Sequence, residues 1–182
     1  MALKLPRTIR LDPSDTFVFA RAAEPGEWAV TGTFLFYGAN PADFSGKEKQ
    51  AFRAGFLGIE SFGWSTLVVV TDATVAERTA AVERLAERLV ERCGAPDLAS
   101  ARPAAEEEIA FAASLCDHPE GTLIGLNRAA EGEGIRESFL TLHRRADRLQ
   151  PIGAFRIVEV EEEAEGLGDE VDLVALAKDK RT

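Results

Sequence analysis

The stretch "TVAERTAAVERLAERLVERCGAP" (residues 74–96) constrains this chain more than any other. Thr74 and Glu77 have the spacing of a capping box, in which each side chain satisfies an N–H that the first helical turn leaves without a partner. Val82, Leu85, Ala86, Leu89, Val90 and Cys93 recur at helical spacing and make one apolar stripe. Glu83, Arg84, Glu87, Arg88, Glu91 and Arg92 fall on the wet side. Gly94 and Pro96 end the run. A helix over 74–93 with one apolar stripe needs a surface on which to bury it.

The flanking segments supply that surface. "STLVVVTDA" (residues 65–73) is a short, nearly continuous apolar strand of the kind covered on both sides. A second helix is expected over 103–116, opening near Pro103. Glu106, Glu107 and Glu108 would lie near its positive end, and Ile109, Ala112, Ala113 and Cys116 on its inner face. The N-terminal third reads as strands. "TIRL", "TFVFARA" (16–22) and "EWAVTGTFLFYG" (27–38) are rich in β-branched and aromatic residues. Pro25-Gly26 suits a type II turn that would join the last two as a hairpin. Ser45 and Glu48 match a second capping box, opening a short helix that carries Phe52, Phe56 and Ile59 and is weakened by Gly55, Gly58 and Gly63.

Toward the C-terminus, "GTLIGLNR" and "IRESFLTLHRR" form two strands around the glycine turn in "AAEGEG". "AFRIVEV" (154–160) is a further strand, and "EVDLVALAKDK" is amphipathic as either helix or strand. Strands do not alternate regularly with helices, so the chain is not doubly wound. The expectation is an α+β fold: a mostly antiparallel sheet with two or three helices packed on one face. Residues 1–160 would form a single domain, with 161–182 an acidic C-terminal extension.

The chain has 182 residues and a net charge of −10. Its first sixty residues are neutral, so the acid lies in the rest, densest between Glu159 and Asp172. That balance argues against nucleic acid and against an anionic membrane surface, both of which select clustered Lys and Arg. The basic cluster present is Arg144, Arg145 and Arg148. Cys93 and Cys116 do not make a disulfide framework. "MALKLPRTIRLD" lacks the apolar core of a secretion signal. These features predict a cytoplasmic protein with reduced thiols and no membrane partner.

Several motifs fail on chemistry. "DFSGKEK" has the Gly-Lys pair of a phosphate loop, but Pro41 removes a needed N–H donor and Glu48 would repel phosphate. "GIESFG" is spaced wrongly for a nucleophile elbow and leads into a strand, which excludes Ser61. "EGEG" lacks the third glycine and the following helix of a dinucleotide fingerprint. Consecutive Glu106, Glu107 and Glu108 point about 100° apart on a helix and cannot converge on one ion.

The residue group nearest to a site is Cys116-Asp117-His118. Pairing the last two strands around Ala129–Gly134 puts His143 opposite Glu120, and a tighter turn at Gly132-Glu133 puts it opposite Thr122. Both registers bring His118, His143 and Cys116 to one end of the hairpin. Thiolate, imidazole and carboxylate are zinc ligands. Yet Cys116 on an inner helix face acts as a small hydrophobe, and Pro119 marks a helix end. The expectation is therefore a structural junction, with no metal, no cofactor and no assigned catalytic residue.

"SFGWSTLVVVTDAT", the helix after it, and "EGTLIGLNR…IRESFLTLHRR" resemble an uncharacterised bacterial family over roughly residues 1–150. The resemblance implies no activity and no functional residue. Two functions stay open. One is a non-catalytic accessory or protein-binding module of a bacterial pathway, with a protein partner or a second copy of itself. The other is a binding protein or enzyme for a small anionic ligand, with a pocket lined by Phe, Trp28 and Trp64 and with Arg side chains as anion clamps.

Overall fold

The computed structural model describes residues 2–143 and the strand 160–162. In chain order the elements are β1 (Lys4–Ile9), α1 (Ser14–Val18), β2 (Ala29–Val30), α2 (Gly46–Ala54), β3 (Phe56–Gly58), β4 (Trp64–Ser65), β5 (Leu67–Asp72), α3 (Val75–Cys93), α4 (Leu98–Ser114), β6 (Leu123–Glu131), β7 (Gly134–Leu142) and β8 (Val160–Glu162). Short 3-10 helices lie at Thr33–Phe36 and Pro41–Asp43. The five-stranded sheet has the order β1-β5-β6-β7-β8, antiparallel throughout. A second antiparallel sheet has the order β2-β3-β4. The fold is α+β.

Helix α3 forms as its sequence dictates. Thr74 Oγ1 accepts from the Glu77 N–H at 3.1 Å, and the Glu77 carboxylate accepts from the Thr74 N–H at 2.8 Å. Gly94, at φ 75°, ends the helix in the left-handed region that suits glycine. Ala81, Val82, Leu85, Ala86 and Leu89 are buried, Val90 is half-buried, and Cys93 lies outside the stripe, exposed. Helix α4 starts earlier than Pro103 suggests, because Asp97 caps it by accepting from the Ser100 N–H at 2.8 Å. Pro103 then lies inside the helix, and Glu106, Glu107 and Glu108 lie past its first turns. Both helices bury their stripes with Leu5, Val30, Leu57 and Ile59.

The N-terminal third departs from the expected strands. Residues 16–22 open inside α1. Asp12 Oδ1 accepts from the Ser14 N–H at 2.8 Å, and the buried Asp15 carboxylate accepts from the Thr66 hydroxyl at 2.6 Å. Local side-chain bonds and one tertiary tie thus override strand propensity. The expected strand 27–38 is cut to Ala29–Val30, because Gly32 turns at φ 76° into a 3-10 helix. A Cβ there would lie 2.7 Å from Leu57 Cβ. Gly26 has the positive φ of the expected turn, 87°, but no hairpin follows. The turn docks on β1 instead, through Gly26 N–H to Thr8 O at 2.9 Å and Thr8 N–H to Glu27 O at 2.8 Å.

Helix α2 begins at the expected place, after Ser45, although the Ser45 hydroxyl makes no capping bond. It ends at Gly55, so Phe52, Phe56 and Ile59 do not share a helical face. Phe52 packs with Phe19 and Phe36, Phe56 with the β5–β6 face, and Ile59 with the helix pair. The β5–β6 face carries Val68, Val70, Ile124 and Leu126, with Cys116 among them. The other β5 face, Leu67 and Val69, is only half-buried. The expected strand 154–160 lies outside the described residues except for Val160. The amphipathic piece after the acidic run, and Arg144, Arg145 and Arg148, also lie outside them. Among the described residues no helix is long and apolar enough to cross a membrane.

Candidate functional site

The β6–β7 hairpin takes the tight turn at Gly132-Glu133, with Glu131 opposite Gly134 and Leu123 opposite Leu142. His143 therefore meets Thr122, with Nδ1 3.4 Å from Oγ1. The Thr122 hydroxyl also donates to Pro119 O at 2.7 Å. The His118 ring stands 5.6 Å from that of His143, inclined at 63°. The hairpin thus brings the two histidines together, as the sequence register requires. A cavity of about 240 Å³ opens beside them, lined by Ser114, Asp117, His118, Ile124, Phe139 and Thr141.

Cys116 does not join this group. Its side chain is buried with Val68, Val70 and Ile124, while Ile109 and Ala112, its expected neighbours, pack in the helix cluster. Burial pushes its thiol up to about 12, against the pull of Lys4. At neutral pH it is a thiol, neither nucleophile nor soft metal ligand. Asp117 and Glu120 are exposed. Among the described residues no group of three or more His, Cys, Asp or Glu is placed to hold a metal ion.

A second polar centre lies farther along the hairpin. Arg128 extends from the buried face of β6, and its side chain is 0% exposed. Nη1 donates to the carbonyls of Phe52 at 3.1 Å and Gly55 at 2.9 Å, with Ala51 O at 3.3 Å. Nη2 donates to Thr31 O. Nε donates to Thr33 Oγ1 at 2.7 Å and faces Glu137 Oε1 at 3.2 Å. The Thr33 hydroxyl in turn donates to Glu137. One guanidinium thereby holds the C-terminal end of α2, whose carbonyls carry the negative end of the helix dipole, together with the Gly32 turn and β7. Burial raises the Glu137 pKa, and Arg128 opposes the rise. Glu108, reaching in from α4, is pushed up to about 7 by burial and by the Glu137 and Glu107 carboxylates, with Arg128 pulling down.

Against this centre lies an aromatic cleft of about 240 Å³. Leu35, Phe36, Phe44 and Trp64 form its apolar walls, and Lys47 and Glu48 line it from the first turn of α2. Phe36 and Trp64 stack at 5.4 Å, and Phe52 meets Phe36 edge-on at 5.2 Å. The Arg128 guanidinium carbon stands 5.4 Å from the Phe36 centroid and 6.0 Å from that of Trp64. The pocket of Phe and Trp64 that the composition suggests is present. Trp28 is not part of it: Arg7 covers that ring at 3.8 Å. Arg128 is no anion clamp either, since its donors are engaged by protein oxygens. Ser61 has a glutamate beside it: its hydroxyl donates to buried Glu27 at 2.7 Å, which also accepts the Glu24 N–H at 2.6 Å.

Arg128, Thr33 and Glu137 are the residues that motif-reading passes over, although the sequence carried their signal. Ile124, Leu126 and Arg128 alternate on one strand face, so an arginine sits where a core residue belongs. The tight-turn register also places Glu137 opposite Arg128. No curated protein and no solved structure matches the chain. Residues 1–159 match the model of a family described as "Family of unknown function (DUF6505)". That match spans every helix among the described residues, both clefts and the buried arginine, and the chain belongs to this family.

Proposed function

We propose that this protein is a non-catalytic accessory module of a bacterial pathway, acting in the cytoplasm by binding a protein partner or a second copy of itself. The observation that carries the reading is the use made of Arg128. A catalytic arginine keeps donors free for substrate, whereas this one bonds to Thr31, Phe52 and Gly55 carbonyls. Glu27 and Asp15 are used in the same way, on backbone and hydroxyl groups of the fold. Cys116 is held as a thiol. Charge of −10 favours a partner with a basic surface over nucleic acid. We assign residues 1–160 to the module and 161–182 to an acidic extension.

The aromatic cleft supports a second reading, a small-molecule binder, because Trp64 and two phenylalanines line it beside charged groups. Native mass spectrometry of the protein purified from its own host tests both. A stoichiometric second polypeptide or a homo-oligomer supports the module. A monomer that retains a small molecule overturns it in favour of the second reading.

A further inference from the structure

We infer that the aromatic cleft is a binding site for a free α-amino acid with an aromatic or branched apolar side chain. The inference rests on the second reading above and names its ligand. Three observations lead to it. The cavity, about 240 Å³, is smaller than the ~300–1,000 Å³ typical of pockets for larger organic ligands, and suits one apolar side chain. Its walls are Leu35, Phe36, Phe44 and Trp64, whose rings offer edges and faces to a flat or branched group.

The third observation is the pair of charges at the cleft. Lys47 and Glu48 line the same cavity, both exposed, and among the described residues neither side chain has a hydrogen bond or ion pair. The expected capping box would have turned Glu48 back toward Ser45, but the Ser45 hydroxyl makes no capping bond. One ammonium and one carboxylate beside an apolar cavity complement a carboxylate and an ammonium flanking an apolar side chain. A fatty or aryl acid would satisfy Lys47 and leave Glu48 facing its carboxylate. An amine would do the reverse. Arg128 lies behind Phe36 and Trp64 with its donors engaged, so Lys47 is the cation for the ligand's carboxylate.

Trp64 is a wall of the cleft, which gives a direct readout. In a Trp28→Phe background it is the sole tryptophan. Its emission would be titrated with L-phenylalanine, 3-phenylpropionate and phenethylamine. The expected result is a saturable change with L-phenylalanine at lower concentration than with either analogue. Lys47→Ala and Glu48→Gln should each weaken it by about threefold to fivefold, the scale of an exposed charge pair. Ala39→Phe, at the exposed cleft wall, should abolish it without lowering the melting temperature. Equal binding of 3-phenylpropionate, unchanged by Glu48→Gln, would overturn the amino-acid assignment while leaving the cleft a site. No saturable response to any of the three would overturn both.

Discussion

Arg128 Nε donates to Thr33 Oγ1 across 2.7 Å, joining β6 to a 3-10 helix 95 positions earlier in the chain. The same guanidinium reaches the carbonyl end of α2. Four segments therefore meet at one side chain, and the aromatic cleft is built on the segments it fixes.

Replacing this residue should be severe. Arg128→Met leaves the Glu137 carboxylate and several buried carbonyls without their donor, and breaking a buried pair on one side costs about 3–5 kcal/mol. Arg128→Lys should recover only part of that, because one ammonium cannot bond α2, Thr31 and Thr33 together. Urea midpoints measure both. A midpoint for Arg128→Met equal to that of the parent protein would show the network to be dispensable.

Glu108 should make stability fall as pH rises. Its folded pKa is raised from 4.5 to about 7 by burial first and then by Glu137 and Glu107. The folded state therefore favours the protonated form. Its contribution is fully present below the unfolded pKa and is lost as pH climbs through about 7. Glu108→Gln should match the parent protein near pH 4.5 and exceed it at pH 8, by on the order of 1 kcal/mol after allowing for solvent screening. Glu137, shifted the same way, leaves some slope behind. Thermal melts across that range would reject the assignment if the two proteins ran parallel.

Within α3, Leu85→Ala should cost about 2–5 kcal/mol through lost transfer energy and a residual cavity. Arg88, placed by periodicity on the wet face, is instead largely covered at 16% exposure and donates to the Glu60 carbonyl and to Glu91. Arg88→Ala should therefore cost about 1 kcal/mol, where a fully exposed residue would cost almost nothing. Chemical denaturation of the two variants ranks them, and a neutral Leu85→Ala would reject the helical phase.

The two thiols should differ sharply. Cys93 is exposed, while Cys116 is buried and held at about 12. The native protein should release one equivalent with a thiol reagent and two in denaturant. Cys116→Ser should cost about 1–3 kcal/mol for a hydroxyl among apolar groups. Prompt reaction of both thiols under native conditions would show that Cys116 is not in the sheet core.

Elements with strong local signals were readable from the chain itself. Helix α3 has its box, stripe and glycine stop, and the β6–β7 hairpin has its glycine turn, which left two registers open until the structure fixed the tighter one. The histidine pairing came with that register. The N-terminal third was not readable, because its decisive interactions are tertiary. Asp15 is held by Thr66, and the turn before Glu27 by Thr8. Phe52, Phe56 and Ile59 imitate a helical stripe, but Gly55 sends them to three separate clusters. The cleft combines residues from α2, the 3-10 helix and β4, and no local pattern joins them. Arg128 was visible as a charge on an apolar strand face, yet most of its partners are carbonyls, which sequence does not single out.

Arginine side-chain NMR tests the inward-turned guanidinium most directly. Exposed Nε–H groups exchange with solvent quickly, and one bonded in a dry core does not. Diluted into D₂O at neutral pH, the protein should keep a protected arginine Nε–H signal that is missing from Arg128→Lys. If no arginine Nε–H is protected, or if every protected one survives in Arg128→Lys, the buried Arg128 network does not exist as described.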